Sequence, residues 1–395
     1  MDSASAPAGL PTRLIVVIVI CMMVAATSMH LYTSMLDVIA QEFGTSTRAV
    51  GWIPTATTFG FVGGVMFLAP LGDVFDKRRL ILFQSSALAL TLALMAMANA
   101  LWMLVLGSFI VGMSASTSQH LVSVTAQLTP SARRGSAMGT VLSGMLLGIL
   151  CGRLLGGLIS GALGWRAGFV FGALLVAAVL PFMLRMLPSA RGSSQLSYAR
   201  LLGSLADLMR RYPVVNRSSR VQGLLGVCYG GFWATLAPML AADHHLGTAA
   251  AGLFGIPGAA GVLIAAPVGR WVDRRGPAPA VLAGSLLVLA GYIAFAFGPW
   301  TIAALVIGVM MLDFGIRTSL VANQTFLIGI EPEARARVNM LLMLHTFAGN
   351  GVGAFLASQA FAGWGWLGVV TVGVVSATAA ALLHLRWRAG MVAPG

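Results

Sequence analysis

Asp313 and Arg317 stand four residues apart inside an otherwise apolar stretch, and they are the pair in this chain best placed to do chemistry. Asp313 lies about 12 residues, roughly 18 Å of helix, into the apolar run 301–327. A carboxylate at that depth costs several kcal/mol unless it is neutralised, paired or hydrated, and such groups mark ion or proton paths. It could take up and release a proton there, or it could be held by Arg317 as an internal ion pair, since the two share a helix face. Arg153 is a third charge of this kind, about 15 residues and roughly 22 Å into the run 138–161. A permanent guanidinium there needs a carboxylate, backbone carbonyls or water, and Asp313 and Asp37 are the candidate carboxylates.

His30, Gln119, His120, Tyr229 and Trp233 are polar or aromatic residues in other apolar runs that could meet a substrate or a proton. Tyr229 and Trp233, at i and i+4, could make an aromatic wall for an apolar or cationic molecule, or simply pack. A lone histidine on a helix can equally be bonded only to a neighbour, and His345 and Asn350 are weaker candidates of the same sort. Cys21, Cys151 and Cys228 have neither disulfide nor metal-ligand spacing and read as small core residues, so no metal site is expected. The chain has no phosphate-binding loop with its lysine, no HExxH helix and no nucleophile elbow. That pattern argues against an enzyme, a cofactor or a self-contained ATP-driven pump.

The elements that position these groups follow from composition. Charged residues make up 9% of the 395, against roughly 25% in soluble domains. An all-α membrane protein is expected, with helices long enough to cross about 30 Å of hydrocarbon. Windows of about 19 residues predict twelve transmembrane helices: 14–36, 49–71, 80–98, 102–126, 138–161, 167–187, 221–242, 249–270, 279–298, 301–327, 339–361 and 366–386. The first run is too long for a cleavable signal, has Arg13 as its only basic flank, and is expected to remain as a helix.

A net charge of +13 could suggest nucleic acid, so the placement of the 24 basic residues matters. They form no groove or stripe. With both termini in the cytoplasm, 20 fall on that side, only Arg48 and Arg166 fall outside, and Arg153 and Arg317 lie within spans. This is the positive-inside bias, and it implies a lipid bilayer rather than nucleic acid as the partner.

The chain repeats itself. Ala69, Pro70, Leu71, Gly72 and Asp73, followed by Lys77 and Arg78, match Gly269, Arg270, Trp271, Val272 and Asp273, followed by Arg274, Arg275 and Gly276; the aspartates are 200 residues apart. Pro130 with Arg133 and Arg134 answers Pro332 with Arg335 and Arg337, and Gly164 with Trp165 answers Gly365 with Trp366. Two parallel, pseudo-symmetric six-helix bundles are therefore expected, 1–187 and 221–395, with a cytoplasmic linker over 188–220. Within that linker the pattern predicts an amphipathic helix around Tyr198 to Arg211, with Leu201, Leu202, Leu205 and Leu208 on one face and arginines able to meet anionic headgroups; a solvated linker is the alternative.

Each charged turn reads as a gating loop: Asp73, just before the third span, could cap it, and Lys77, Arg78, Arg274 and Arg275 could bridge to the aspartates in one arrangement of the halves only. Topology signalling alone is the plainer reading. Glycines at 144, 148, 152, 156 and 157 make a flat stripe on the fifth span, suited to close packing or to two rocking halves.

These residues resemble the major facilitator superfamily, specifically its bacterial twelve-span drug and sugar efflux type. Its loop signature is carried by Leu71, Gly72, Asp73, Lys77 and Arg78, with Ala69, Val74 and Asp76 departing from it, and more cleanly by Gly269, Asp273, Arg274, Arg275 and Gly276. Gly148, Gly152, Gly156 and Gly157 resemble its glycine-rich antiporter signature, with Arg153 in place of a proline. Ser108 stands four residues before Gly112, where the family has an arginine linked to proton coupling. The resemblance implies a cavity lined by the first, fourth, seventh and tenth spans, where His30, Gln119, His120, Tyr229, Trp233 and Asp313 fall. We expect a monomeric secondary transporter of the bacterial inner membrane, exporting a small organic molecule in exchange for protons by alternating access. On this view Asp313, Arg317 and Arg153 couple the proton, with Arg153 replacing the charge missing at Ser108. An uncoupled facilitator or importer of a sugar or other metabolite, and a non-transporting receptor or scaffold, are the alternatives.

Overall fold

The computed structural model describes residues 12–130, 134–189, 198–259, 265–330 and 335–386. Ten helices in it are long and apolar enough to span a bilayer: Arg13–Ser34, Thr47–Gly72, Lys77–Ala96, Leu101–Leu128, Ala137–Leu163, Trp165–Met186, Pro213–His244, Pro277–Phe295, Ile302–Leu327 and Arg337–Arg386. The last is 50 residues long, about 75 Å of helix, far more than one crossing needs. It divides at Gly365, whose φ of 59° and ψ of −152° are non-helical, and so supplies the eleventh and twelfth spans. The eighth is described as Thr248–Leu253 and Gly255–Ala259, separated at Phe254, and Ala265–Arg275. The fold is thus the expected all-α membrane bundle of twelve spans.

Large apolar side chains are buried chiefly in two clusters, one in each half. One draws on residues from Leu14 to Leu187, the other on residues from Val221 to Ala380. Other large apolar side chains point outward, as lipid-facing residues must, among them Phe83, Leu90 and Leu174. Trp52, Trp102, Trp300 and Trp364 are exposed near helix ends on the side away from the linker, hereafter the far end, as in an interfacial aromatic belt.

The repeat seen in the sequence reappears as geometry. Gly164 and Gly365 both take positive φ, 86° and 59°, and each is followed by a buried tryptophan that opens the next helix. In the second charged loop Gly276, at φ 76°, precedes the ninth span. The first loop has Asp76 at the corresponding place and solves the same problem differently. Asp76 is extended, and its Oδ1 accepts from the Arg78 backbone N at 3.0 Å. The cap of the third span is therefore Asp76 and not Asp73, because a capping side chain must sit directly before the helix, which starts at Lys77.

The glycine stripe packs inside the N-terminal bundle. Gly144, Gly148, Gly152 and Gly156 face the backbone oxygens of Val19, Met23, Thr27 and Leu31 on the first span, a four-by-four register in which an added Cβ would collide every turn. The Thr27 hydroxyl donates to Gly148 O at 3.1 Å across that contact. Only Gly157 and Gly161 meet the other bundle, at Thr248, whose hydroxyl donates to Gly157 O at 3.0 Å. The C-terminal bundle has its own version, with Gly223, Gly226 and Gly230 of the seventh span against Gly349, Thr346 and Asn350 of the eleventh.

The linker helix lies at Tyr198–Arg211, as predicted, but the seventh span starts at Pro213 rather than near 221. Leu205 and Leu208 are buried against Val215, Leu327, Val338, Leu341 and Leu342. At Leu205 and Leu208 the apolar face of this helix is covered by the protein. The side chains of Leu201 and Leu202 lie outside the described residues.

Candidate functional site

The two halves meet at the far end. Arg48 of the second span donates to Gln359 of the eleventh, the rings of Trp52 and Phe355 stand 5.0 Å apart, and Ser358 is fully buried against Gly51. Deeper along the same seam the rings of Phe61 and Phe347 approach to 4.4 Å. Between the halves lies a cavity of about 160 Å³, more than ten times the ~10–15 Å³ one water needs. Its walls are mainly apolar: Met29, Phe61, Met145, Ile149, Ile316, Leu320, Met343 and Phe347 contribute, and the polar groups are His30, Ser118, Tyr229, Asp313, Arg317, Thr346 and Asn350. It therefore draws on the second, fifth and eleventh spans as well as the four expected.

Local breaks in helical geometry present some of these residues. The first span is α-helical to His30 and then tightens to a 3₁₀ turn over Leu31–Ser34. The fourth is interrupted at Ser116, whose hydroxyl donates to Met113 O at 2.7 Å and accepts from Gln84 Nε2 at 3.0 Å. This places Ala115 and Ser118 on the cavity wall and turns the neighbouring residues elsewhere. Gln119 and His120, expected to line the cavity, do not. His120 is buried beside the first charged loop, close enough to Gly72 that an added Cβ there would sit 2.5 Å from Nδ1. The error is one of register: neighbouring helical residues point about 100° apart.

His30 lines the cavity, with Nδ1 bonded to Ala26 O at 2.9 Å, and His345 makes the equivalent bond to Leu341 O. Asp313 is almost wholly buried. Its Oδ1 stands 4.0 Å from Arg317 Nη2, the long limit of an ion pair, and Oδ2 has no hydrogen-bond partner. Gly258 in the eighth span faces that oxygen. A Cβ at 258 would lie 3.3 Å from Asp313 Oδ2 and 2.9 Å from the Trp233 ring, so only glycine leaves this space open. No sequence signal distinguished Gly258 from the other glycines of the apolar runs.

Arg153 crosses from the fifth span to the seventh, but it does not meet a carboxylate. Its Nη2 donates to the Tyr229 hydroxyl at 2.8 Å, and its guanidinium lies 3.3 Å from the Trp233 ring centroid. Neither Asp313 nor Asp37 pairs with it among the described residues; Asp37 accepts from Gln41 instead, at 2.7 Å. Tyr229 lines the cavity and Trp233 sits behind it. The aromatic pair expected either to wall in an apolar or cationic substrate or to pack thus holds a cation of the protein's own. A side chain only 3% exposed gains from a planar, weakly hydrated charge stacked on indole. Ser108, in place of the family's arginine, is buried with its hydroxyl unpartnered.

In the gating loops, Arg78 donates to Leu184 O within its own half, and Lys77 is buried. Arg274 and Arg275 are exposed. The side chains of Asp73 and Asp273 lie outside the described residues, as do Arg133 and the loop around Pro332.

Comparison with known proteins agrees with this geometry. Residues 18–328 match the Major Facilitator Superfamily. The "Uncharacterized transporter YgaY" of Escherichia coli O157:H7 is 34% identical over 386 residues, covering 96% of each chain. The "Probable transporter SCO4007" of Streptomyces coelicolor is 34% identical over 396 residues, covering 99% of this chain and 90% of its own. Among solved structures, an inward-facing, unoccupied bacterial homolog of the human lysosomal transporter Spinster superposes with a TM-score of 0.79 at 16% identity, over 98% of this chain and 100% of the other. The nucleoside transporter NupG gives 0.72 at 15% identity, over 97% of this chain and 99% of the other. A bundle with its cavity between two repeated halves, matched along most of its length to transporters, identifies this chain as a multi-pass membrane transporter of the Major Facilitator Superfamily.

Proposed function

We propose that the protein is a proton-coupled exporter of a small, mainly apolar organic molecule, working by alternating access between the halves 1–187 and 221–395 joined by 188–220. The observation that carries this reading is Asp313, a buried carboxyl on the wall of the cavity between the halves, with one oxygen unpartnered and the other only loosely paired to Arg317. Such a group can exchange a proton with water in the cavity, and a substrate filling the same space competes with that water. Arg317 limits the cost of the charged state, and Arg153, held by Tyr229 and Trp233, ties the halves together near this site in the present conformation. The apolar walls favour a molecule with more hydrocarbon than a sugar presents. The charge distribution supports a bacterial inner-membrane protein with both termini and the linker in the cytoplasm.

The test is transport by the purified protein in vesicles carrying an imposed pH gradient, with a panel of lipophilic compounds. Uptake or release that follows the gradient supports exchange. Movement that follows only the substrate gradient supports an uncoupled facilitator, a reading favoured by the single fact that Arg153 closes on aromatic rings and not on a proton-binding carboxylate.

A further inference from the structure

The second span does not reach its linker end as one regular helix. It is α-helical over Trp52–Gly63, widens to a π-type turn over Gly64–Leu68 and tightens to a 3₁₀ turn over Ala69–Asp73. Such changes of winding break the regular ladder of backbone bonds, and Pro70 brings no N–H to it. In that break the Phe67 carbonyl accepts from the Tyr198 hydroxyl at 2.9 Å. Tyr198 is the first residue of the linker helix, which also lies against Ala69–Asp73.

The other end of the same helix belongs to the other half. Leu205 and Leu208 are buried against Val215 of the seventh span and Leu341 and Leu342 of the eleventh. One short, stiff element is thus fastened to both halves, by a hydrogen bond at one end and by apolar packing at the other. Tyr198 and Leu208 are separated by about 15 Å of helix, a length that cannot stretch. Parting the halves at the linker end must therefore undo one of the fastenings. They are unequal: a hydroxyl–carbonyl bond that water can reach contributes less than two buried leucines, so the Tyr198 end gives way first.

We propose that the linker helix is a strap across the linker end of the seam, holding the halves close there while Tyr198 is bonded to Phe67 and releasing Tyr198 before the cavity opens fully on that side. The strap rests on the alternating-access reading above. The far-end seam has its own fastening in Arg48 and Gln359, so the strap governs only how readily the opposite side opens.

The test is pulse EPR on the full-length protein in nanodiscs, with Cys21, Cys151 and Cys228 replaced by alanine. Spin labels go on Val74→Cys, in the turn before the third span, and on Thr325→Cys, near the linker end of the tenth; both side chains are exposed. Tyr198→Phe removes only the hydroxyl and should raise the ratio of long to short label distances about two- to fivefold, the lower part of the range for a hydrogen bond. Leu208→Ala loosens the other fastening and should raise it at least as much. A strap loose at either end restrains nothing, so the two changes together should do no more than the larger one alone. Effects that multiply, as two independent contacts give, would overturn the proposal. Two distance populations indifferent to Tyr198→Phe would refute the strap and leave alternating access standing, whereas one unmoving distance in the parent and every variant would refute both.

Discussion

The contact of Arg153 with Tyr229 and Trp233 joins the two halves, and breaking it should open the far end. Tyr229→Phe removes the hydroxyl that accepts from Nη2 at 2.8 Å and leaves the ring in place. A hydrogen bond to a charged group is worth about 1.5–3 kcal/mol, so the ratio of open to closed conformations should rise by about 10- to 150-fold. Trp233→Leu removes the stacking at 3.3 Å, worth about 2 kcal/mol for a desolvated cation, and should add a further rise. Ser358 supplies the readout. It is fully buried against Gly51 on the opposite half and its hydroxyl has no partner, so Ser358→Cys is a mild change that a thiol reagent can reach only when the seam parts. With Cys21, Cys151 and Cys228 replaced by alanine, maleimide labelling of purified protein in nanodiscs follows the open population when reclosing is fast. Tyr229→Phe should accelerate labelling in proportion to the ratio above. An unchanged rate in both variants would show that the cation is held for packing alone and does not govern the seam.

Asp313→Asn keeps the shape of the side chain but cannot exchange a proton, so it should abolish pH-driven transport in vesicles while substrate binding, measured by fluorescence or calorimetry, persists. If Asp313 chiefly neutralises Arg317, combining it with Arg317→Gln should restore driven transport, and full restoration would remove the coupling role. Gly148→Val must force the first and fifth spans apart, because a Cβ there meets Met23 O and stands 2.8 Å from the Ala26 Cβ; it should cost about 1–3 kcal/mol, seen as a lower thermal inactivation temperature. Outside the spans, Glu42 accepts from Arg166 and from Trp165 Nε1, and the Arg166 hydrogen bond first and foremost holds its carboxyl below its ordinary 4.5. Its folded value is depressed, so its contribution is present above that ordinary value and is lost as pH falls through the lowered one. Glu42→Gln should flatten the acid side of the thermal-stability profile and leave the neutral side slightly lower.

Much of this protein is written locally. A span is legible because some twenty apolar residues in a row have no other stable fate, and the linker helix at Tyr198–Arg211 follows from an equally local pattern. The internal repeat was readable for the same reason: Gly164 and Gly365 must be glycines where φ is positive, whatever surrounds them. Asp313 stood out by rarity, since one carboxyl within an apolar run needs no partner in view to be noticed. What tertiary structure decided is which face of each helix meets which neighbour. The glycine stripe could have served either bundle contact, and only packing assigned Gly144 to Gly156 to the first span and Gly157 to the seam. His120 and Ser118 are two residues apart, yet one lies under the charged loop and the other on the cavity wall, because each helical step turns by about 100° and a break at Ser116 resets the count. Arg153 called for a counter-charge by sequence logic and found an indole and a phenol, since what satisfies a buried guanidinium is set by what lies across the seam, 76 residues away along the chain.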